Sequence, residues 1–293
     1  MVMDGVSVGD GYAEHVTEGD LRLIGAAAGL PDPETARLRR DPDALERVLA
    51  DPRVFEAIFG AETLSSREAV IASPFLAFAT AVHRAAADLA EARYVAERAA
   101  ARQKVPVFDA PELRDFLGSA ARRLFLAELL TSFTRVTSGR YRVTVGGRAR
   151  TRRFSELDPV RLAGMLDAVP EESRPGVYRR LGDVALFLSG VFPDYVAGQA
   201  FSPVNVARLL RATQVPAGER ARLAAIPDLE LMEDLGSRWY RSALALAPVR
   251  TSGLTVVGEV ADRFRQARRV LNHVADRYLI GGSGMGWFAA PGR

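Results

Sequence analysis

The sequence of 293 residues predicts a mainly α protein, a multi-helix bundle carrying one short arginine-rich β-hairpin. Three observations predict it. Apolar residues recur at spacings of three and four over most of the chain. Asp-Pro and Ser-Pro pairs repeatedly open such stretches, as an N-cap acceptor followed by proline at the first helical position does. Only one stretch, Ser138 to Phe154, alternates with period two, around Gly146-Gly147.

Residues 1–16 are glycine-containing and weakly patterned, so a frayed start that includes His15 is expected. Thr17 with Asp20 forms a capping-box pattern before Leu21, Leu23 and Ile24. Asp41-Pro42 and Asp51-Pro52 open two short helices with stripes at Leu45, Val48 and Leu49, then Val54, Phe55, Ile58 and Phe59. From Ser66 to about Arg102 an Ala-rich helix is expected, with a break or kink at Pro74. VPVFDAPE is a connector, and helices follow through Leu113–Leu117 and Leu124–Val136.

After the hairpin, Asp158-Pro159 opens a helix to Val169. The segment YRRLGDVALFLSGVFPDY, Tyr178 to Tyr195, is apolar on every side from Val184 to Phe192, which predicts the most buried helix of the protein. Ser202-Pro203 starts the next helix. Pro216 to Leu246 reads as helix with a weak point at Pro227, and Val256 to Ile280 as one final helix. The expected organisation is a flexible N-terminus over 1–16, a small helical region over 17–62, a main bundle over 63–281 including the hairpin at 140–154, and a Gly-rich tail over 282–293.

Composition narrows the chemistry. A hydrophobic fraction of 48% and a charged fraction of 26% belong to a globular chain with a sizeable core. The absence of cysteine excludes disulfides, thiolate metal sites and cysteine nucleophiles. The N-terminus lacks a basic region followed by an apolar core, and no apolar run approaches the ~20 residues of a membrane span. A cytoplasmic location without membrane insertion is the expectation. The formal net charge of +3 is small, and Lys104 is the only lysine, so arginine carries the basic charge.

Two constellations stand out. Arg140, Arg142, Arg148, Arg150, Arg152 and Arg153 crowd the hairpin, with Tyr141 and Phe154 among them. A two-residue turn at Gly146-Gly147 sets Val143 opposite Arg150, Val145 opposite Arg148 and Arg142 opposite Thr151, which puts arginine on both faces. Such a ribbon can follow a phosphate backbone, dock on an acidic protein, or pair with carboxylates of its own fold. Asp183 is drawn to the edge of the apolar helix, with Arg179 and Arg180 at ion-pair spacing before it. It is either half of a structural ion pair or a polar group at the mouth of a pocket.

Other patterns carry little. His15, His83 and His273 form no HxxxH or ExxH pair, so no metal site is expected. GGSGMG at 281–286 lacks the strand and helix of a nucleotide loop, and Ser189 has no serine-triad context. No cofactor is expected, and no residue pattern names a catalytic group. Trp239-Tyr240 reads as core, and Trp287-Phe288 as a fold-back plug or an anchor for a partner.

The segments RQKVPVFDAPELRDFL, FLAELLTSFTRV, RRFSELDPVRLAGMLD and RPGVYRRLGDVALFLSGVFPDYV, with RWYRSALAL and RVLNHVADRYL, resemble a group of uncharacterised actinobacterial helical proteins. The resemblance covers most of the chain and lies in phrasing rather than in a catalytic signature. It implies a bacterial cytoplasmic protein and carries over no reaction, cofactor or partner. Three function classes follow: an interaction or regulatory protein using the hairpin as contact surface, a nucleic-acid or polyanion binder through the same hairpin, and an enzyme or small-molecule binder beside Asp183.

Overall fold

The computed structural model describes residues 8–60, 72–100, 103–145, 148–199, 201–249, 251–280 and 287–288. These are mainly helical, with two small antiparallel two-stranded sheets. They fall into two compact units, bounded Met1–Val95, Pro106–Thr134 and His273–Phe288 for the first, and Ala96–Val105, Arg135–Asn272 and Ala289–Arg293 for the second.

In the first unit the described residues begin with α1 (Val8–His15), so this part of the stretch expected to fray is helical: Tyr12 is fully buried and Val16 nearly so; residues 1–7 lie outside the described residues. A capping box then starts α2 (Glu18–Ala28): the Thr17 hydroxyl accepts from the Asp20 amide, and the Asp20 carboxylate accepts from the Thr17 amide. Gly29 ends this helix in the left-handed region at φ 69°, where a side chain would strain the backbone. Helices α3 (Asp32–Arg37), α4 (Pro42–Leu49) and α5 (Pro52–Phe59) follow, and the Asp41 and Asp51 side chains cap the last two. Leu45, Leu49, Val54 and Ile58 turn inward.

Of the break or kink expected at Pro74, the described residues show a helix start, and residues 61–71 before it lie outside the described residues. Pro74 is the first residue of α6 (Pro74–Glu91), and the Ser73 hydroxyl accepts from the Leu76 amide. The expected continuation to Arg102 is also replaced. After Glu91 the chain extends into β1 (Val95–Ala100) and β2 (Gln103–Val107), a second hairpin that the sequence reading took as helix and connector. Large apolar residues at helical spacing stop at Leu89, and alanine propensity is too weak to carry the helix past its apolar stripe. Helices α7 (Ala110–Leu117) and α8 (Ala120–Ser132) complete this part of the unit, with Phe116, Leu126, Leu130 and Phe133 in its core.

The second unit is built on α10 (Arg174–Val191), where every residue from Leu181 to Val191 is buried. Its close partner is α14 (Asp228–Leu246). Glycines set that approach: a Cβ on Gly182 would overlap the Tyr240 ring, and one on Gly236 would overlap Phe264 and lie 2.9 Å from the Ala185 Cβ. Around this pair lie β3 (Ser138–Val145), β4 (Arg148–Ser155), α9 (Pro159–Ala163), α11 (Pro193–Gln199), α12 (Pro203–Ala212) and α13 (Ala217–Leu223). Pro227 separates α13 from α14 rather than weakening one long helix.

The expected final helix is likewise divided, into α15 (Ser252–Asp262) and α16 (Phe264–Val274), followed by a π-helical turn over Ala275–Leu279. Arg268 on α16 is 2% exposed and donates from Nε to Glu233 Oε1 at 2.5 Å and from Nη2 to Glu97. Arg265 donates to Glu233 Oε2 at 3.0 Å and Arg269 to Glu97 Oε2 at 2.9 Å. Of the expected tail, residues 281–286 and 289–293 lie outside the described residues, so the GGSGMG reading does too. The Trp287 and Phe288 rings pack on Phe78 in the first unit, with centroids 5.3 and 5.4 Å away.

Candidate anion-binding cleft at the hairpin

The hairpin forms in the expected register: Val143 pairs with Arg150, Val145 with Arg148 and Arg142 with Thr151. The turn residues Gly146 and Gly147 lie outside the described residues, as do the side chains of Arg148, Arg150 and Arg152. Gly139 sits opposite Phe154, and an added Cβ there would lie 2.8 Å from the ring, so the glycine leaves room for it. The Phe154 ring is 6.4 Å from that of Tyr141. Alternation puts Arg140, Arg142 and Arg153 on the opposite face, with Arg140 directly across from Arg153, and all three are exposed.

Beside the hairpin lies a cleft of about 760 Å³, lined by Tyr141, Arg153, Arg161, Asp167, Arg208 and Arg211, with Val160, Gly164 and Ala212 as its small apolar walls. Helix α9 brings Arg161; Asp158 caps that helix at the Arg161 amide, 3.0 Å, and pairs with the Arg161 guanidinium at 3.0 Å. Helix α12 brings Arg208 and Arg211. Its Val206, Leu209 and Leu210 face the core, which turns the two arginines to solvent. Among the described residues, Arg153, Arg208 and Arg211 make no ion pair, so three unpaired guanidiniums and one carboxylate, Asp167, border one cleft.

The second sequence-predicted site is built differently. Asp183 is 8% exposed, and its Oδ1 accepts from Arg179 Nε at 3.1 Å and from the Tyr240 hydroxyl at 2.8 Å. Arg180 goes elsewhere, to Glu156 Oε2 at 3.2 Å. Burial holds the Tyr240 hydroxyl well above the usual phenol range, and the Asp183 charge adds to this. Tyr240 is therefore a standing proton donor to Asp183. Nothing in the sequence tied it to Asp183, because the two lie on helices 57 positions apart.

Two other buried polar side chains, Ser189 and His83, have hydrogen-bond partners. Ser189 donates to the Ala185 carbonyl at 2.6 Å, back along its own helix. His83 Nε2 lies 3.2 Å from the Tyr12 hydroxyl; burial, with help from the Arg123 charge, lowers its pKa to about 3. His15, expected in a loose terminus, pairs with Glu128 at 3.0 Å. Among the described residues no group of three or more His, Asp or Glu side chains could hold a metal ion, and no helix is long and apolar enough to cross a membrane.

Sequence reasoning found Arg153 and Tyr141 but missed Arg161, Asp167, Arg208 and Arg211. The signal within reach was the RLLRA pattern of α12, two arginines three apart around a buried leucine pair. It marks an exposed basic face, yet says nothing of where that face lies relative to the hairpin. No protein-family model, curated protein or solved structure matches the chain.

Proposed function

We propose that this is a binding protein without catalysis, and that its working surface is the hairpin with the cleft beside it, which takes an anionic partner. The observation that carries the reading is the set of exposed guanidiniums at Arg153, Arg208 and Arg211, which border one cleft and make no ion pair with a described carboxylate, so that Asp167 alone offsets them in its lining beside the paired Arg161. Guanidiniums present planar, bidentate donors to phosphate or carboxylate, and gathered like charges favour a counter-anion.

The Asp183 reading has less support as a catalytic site. A carboxylate oxygen that already accepts from an arginine and a tyrosine at the edge of a helix pair is a structural anchor first. A protein partner is a second reading, favoured by the exposed ring pair Tyr94 and Phe108, which are 55% and 76% exposed. The test of the main reading is titration with inorganic polyphosphate at low salt, for the parent and for Arg153→Ser/Arg208→Ser/Arg211→Ser. Binding that weakens with salt and is lost in the triple variant is expected. Absence of binding in the parent, or unchanged binding in the variant, overturns it.

A further inference from the structure

We infer that the first unit holds a site for a free apolar α-amino acid, in the cavity between α3 and α4. The site shares no residue with the hairpin cleft, so its test is independent of the anion-binding reading. Two matching stripes build it. Glu34, Arg37 and Leu38 stand at positions i, i+3 and i+4 across α3 and the 3-10 turn Leu38–Arg40, and Ala44, Arg47 and Val48 repeat that spacing on α4. Leu45 and Leu49 of α4 are buried in the core, which leaves the neighbouring stripe to line the cavity. Leu30 and Asp41 complete the lining. Leu38 is buried, and Leu30, Ala44 and Val48 are half-buried, whereas Glu34, Arg37, Asp41 and Arg47 are exposed.

Charges of both signs line this cavity without neutralising each other. Glu34 and Arg37 lie three apart, the spacing of a helical ion pair, yet among the described residues Glu34, Arg37 and Arg47 make no ion pair. Asp41 accepts from the Ala44 amide at 2.9 Å and meets no arginine among the described residues. A bare anion would face the carboxylates of Glu34 and Asp41, and a bare cation the guanidiniums of Arg37 and Arg47. A zwitterion satisfies both signs at once: its ammonium donates to the carboxylates, and its own carboxylate accepts from the guanidiniums. The rest of the lining, Leu30, Leu38, Ala44 and Val48, has no polar side chain, so the body joined to those two charges is apolar. Volume sets its size. The cavity measures about 270 Å³, just below the range of roughly 300–1,000 Å³ that holds drug-sized ligands, which suits one amino acid with a leucine-sized side chain rather than a peptide.

The experiment is isothermal titration calorimetry of the full chain with L-leucine, N-acetyl-L-leucine, L-leucinamide and glycine. The second lacks the ammonium, the third the carboxylate and the fourth the apolar side chain. L-Leucine should bind saturably, and each of the others at least roughly tenfold more weakly, as loss of a charge-assisted hydrogen bond or of a buried side chain implies. Glu34→Gln and Arg37→Gln/Arg47→Gln change exposed side chains only, and each should weaken L-leucine by roughly fivefold or more. Asp41 is left in place because it caps α4. Absence of saturable L-leucine binding, equal affinity for any of the three altered compounds, or parent-like affinity in either variant overturns the inference. Should a variant fail to fold, the comparison of the four compounds on the parent decides alone.

Discussion

Two arginine clusters of the second unit differ in almost every physical respect. On α16, Arg265, Arg268 and Arg269 share Glu97 and Glu233, and Arg268 is 2% exposed. Around the hairpin, Arg140, Arg142, Arg153, Arg208 and Arg211 are exposed, and no carboxylate among the described residues meets them. At the centre of the first cluster Arg268 has exchanged water for carboxylates, and Arg265 and Arg269 pair with the same two carboxylates from its more exposed rim. The second keeps its hydration and its charge. Arginine content alone therefore says nothing about function; the location of the carboxylates decides which arginines can serve a partner.

The sharpest way to break this contrast is to remove the centre of the buried cluster. Arg268→Ala takes the buried arginine from Glu97 and Glu233 but leaves each one other partner, Arg269 and Arg265, so the loss should approach without reaching the ~3–5 kcal/mol of a fully broken buried pair. Urea unfolding should show a loss of that order. A change within experimental error would mean that the α16 cluster is as solvated as the hairpin, and the comparison would fail.

Acid separates structural from surface charge in a second way. His83 is buried and neutral, with its pKa lowered to about 3, whereas the unfolded chain takes up a proton near the ordinary pKa of about 6.5. The unfolded state then binds more protons between these limits, so the contribution of neutral His83 is full above pH 6.5 and is lost progressively as pH falls toward 3. A loss on the order of a few kcal/mol is expected by pH 4. His83→Gln, which still offers the Tyr12 hydroxyl a partner, should flatten that slope relative to the parent. Identical slopes for parent and His83→Gln would show that His83 is not the group responsible.

Packing gives a third, smaller effect that involves no charge. Gly236→Ala places a methyl against Phe264 and Ala185, where α10 and α14 approach closely. Overpacking of this kind costs about 1–3 kcal/mol. Thermal unfolding of the variant should fall accordingly while anion binding at the hairpin is retained. Loss of binding with an unchanged melting temperature would couple the helix pair to the cleft and undo the separation drawn between them.

Much of this was legible from local pattern. The helical class, the hairpin register and the burial of Val184–Val191 follow from periodicities that need no tertiary information, although Phe192, expected buried with them, is half-buried beyond the helix end. The β1–β2 hairpin was not legible, because Ala-rich residues after Leu89 carry helix propensity without a helical apolar stripe. Tyr12 was hidden for the opposite reason: one buried ring anchors a helix whose neighbours are glycine and polar residues. The cleft was half legible. Arg153 and Tyr141 lie in the conspicuous ribbon, whereas Arg161, Arg208 and Arg211 join it only through the packing of α9 and α12, which local spacing does not encode.

The smallest expected stability change is also the most informative. Arg153→Ser/Arg208→Ser/Arg211→Ser removes three exposed guanidiniums that hold no carboxylate among the described residues. Surface changes of this kind fall within about 0.5 kcal/mol each, and relief of like-charge repulsion works against any loss. Unfolding of the triple variant should thus nearly match the parent, in contrast to the single change at Arg268. The salt dependence of anion binding should become shallower by up to about one phosphate contact for each arginine removed, because each such contact contributes a slope of roughly 0.7 to 0.9 in log–log form. A triple variant that unfolds early would reveal carboxylate partners for these arginines and turn the hairpin cluster into a second copy of the α16 cluster. A stable variant with the parent's salt slope would move the anion site away from this cleft.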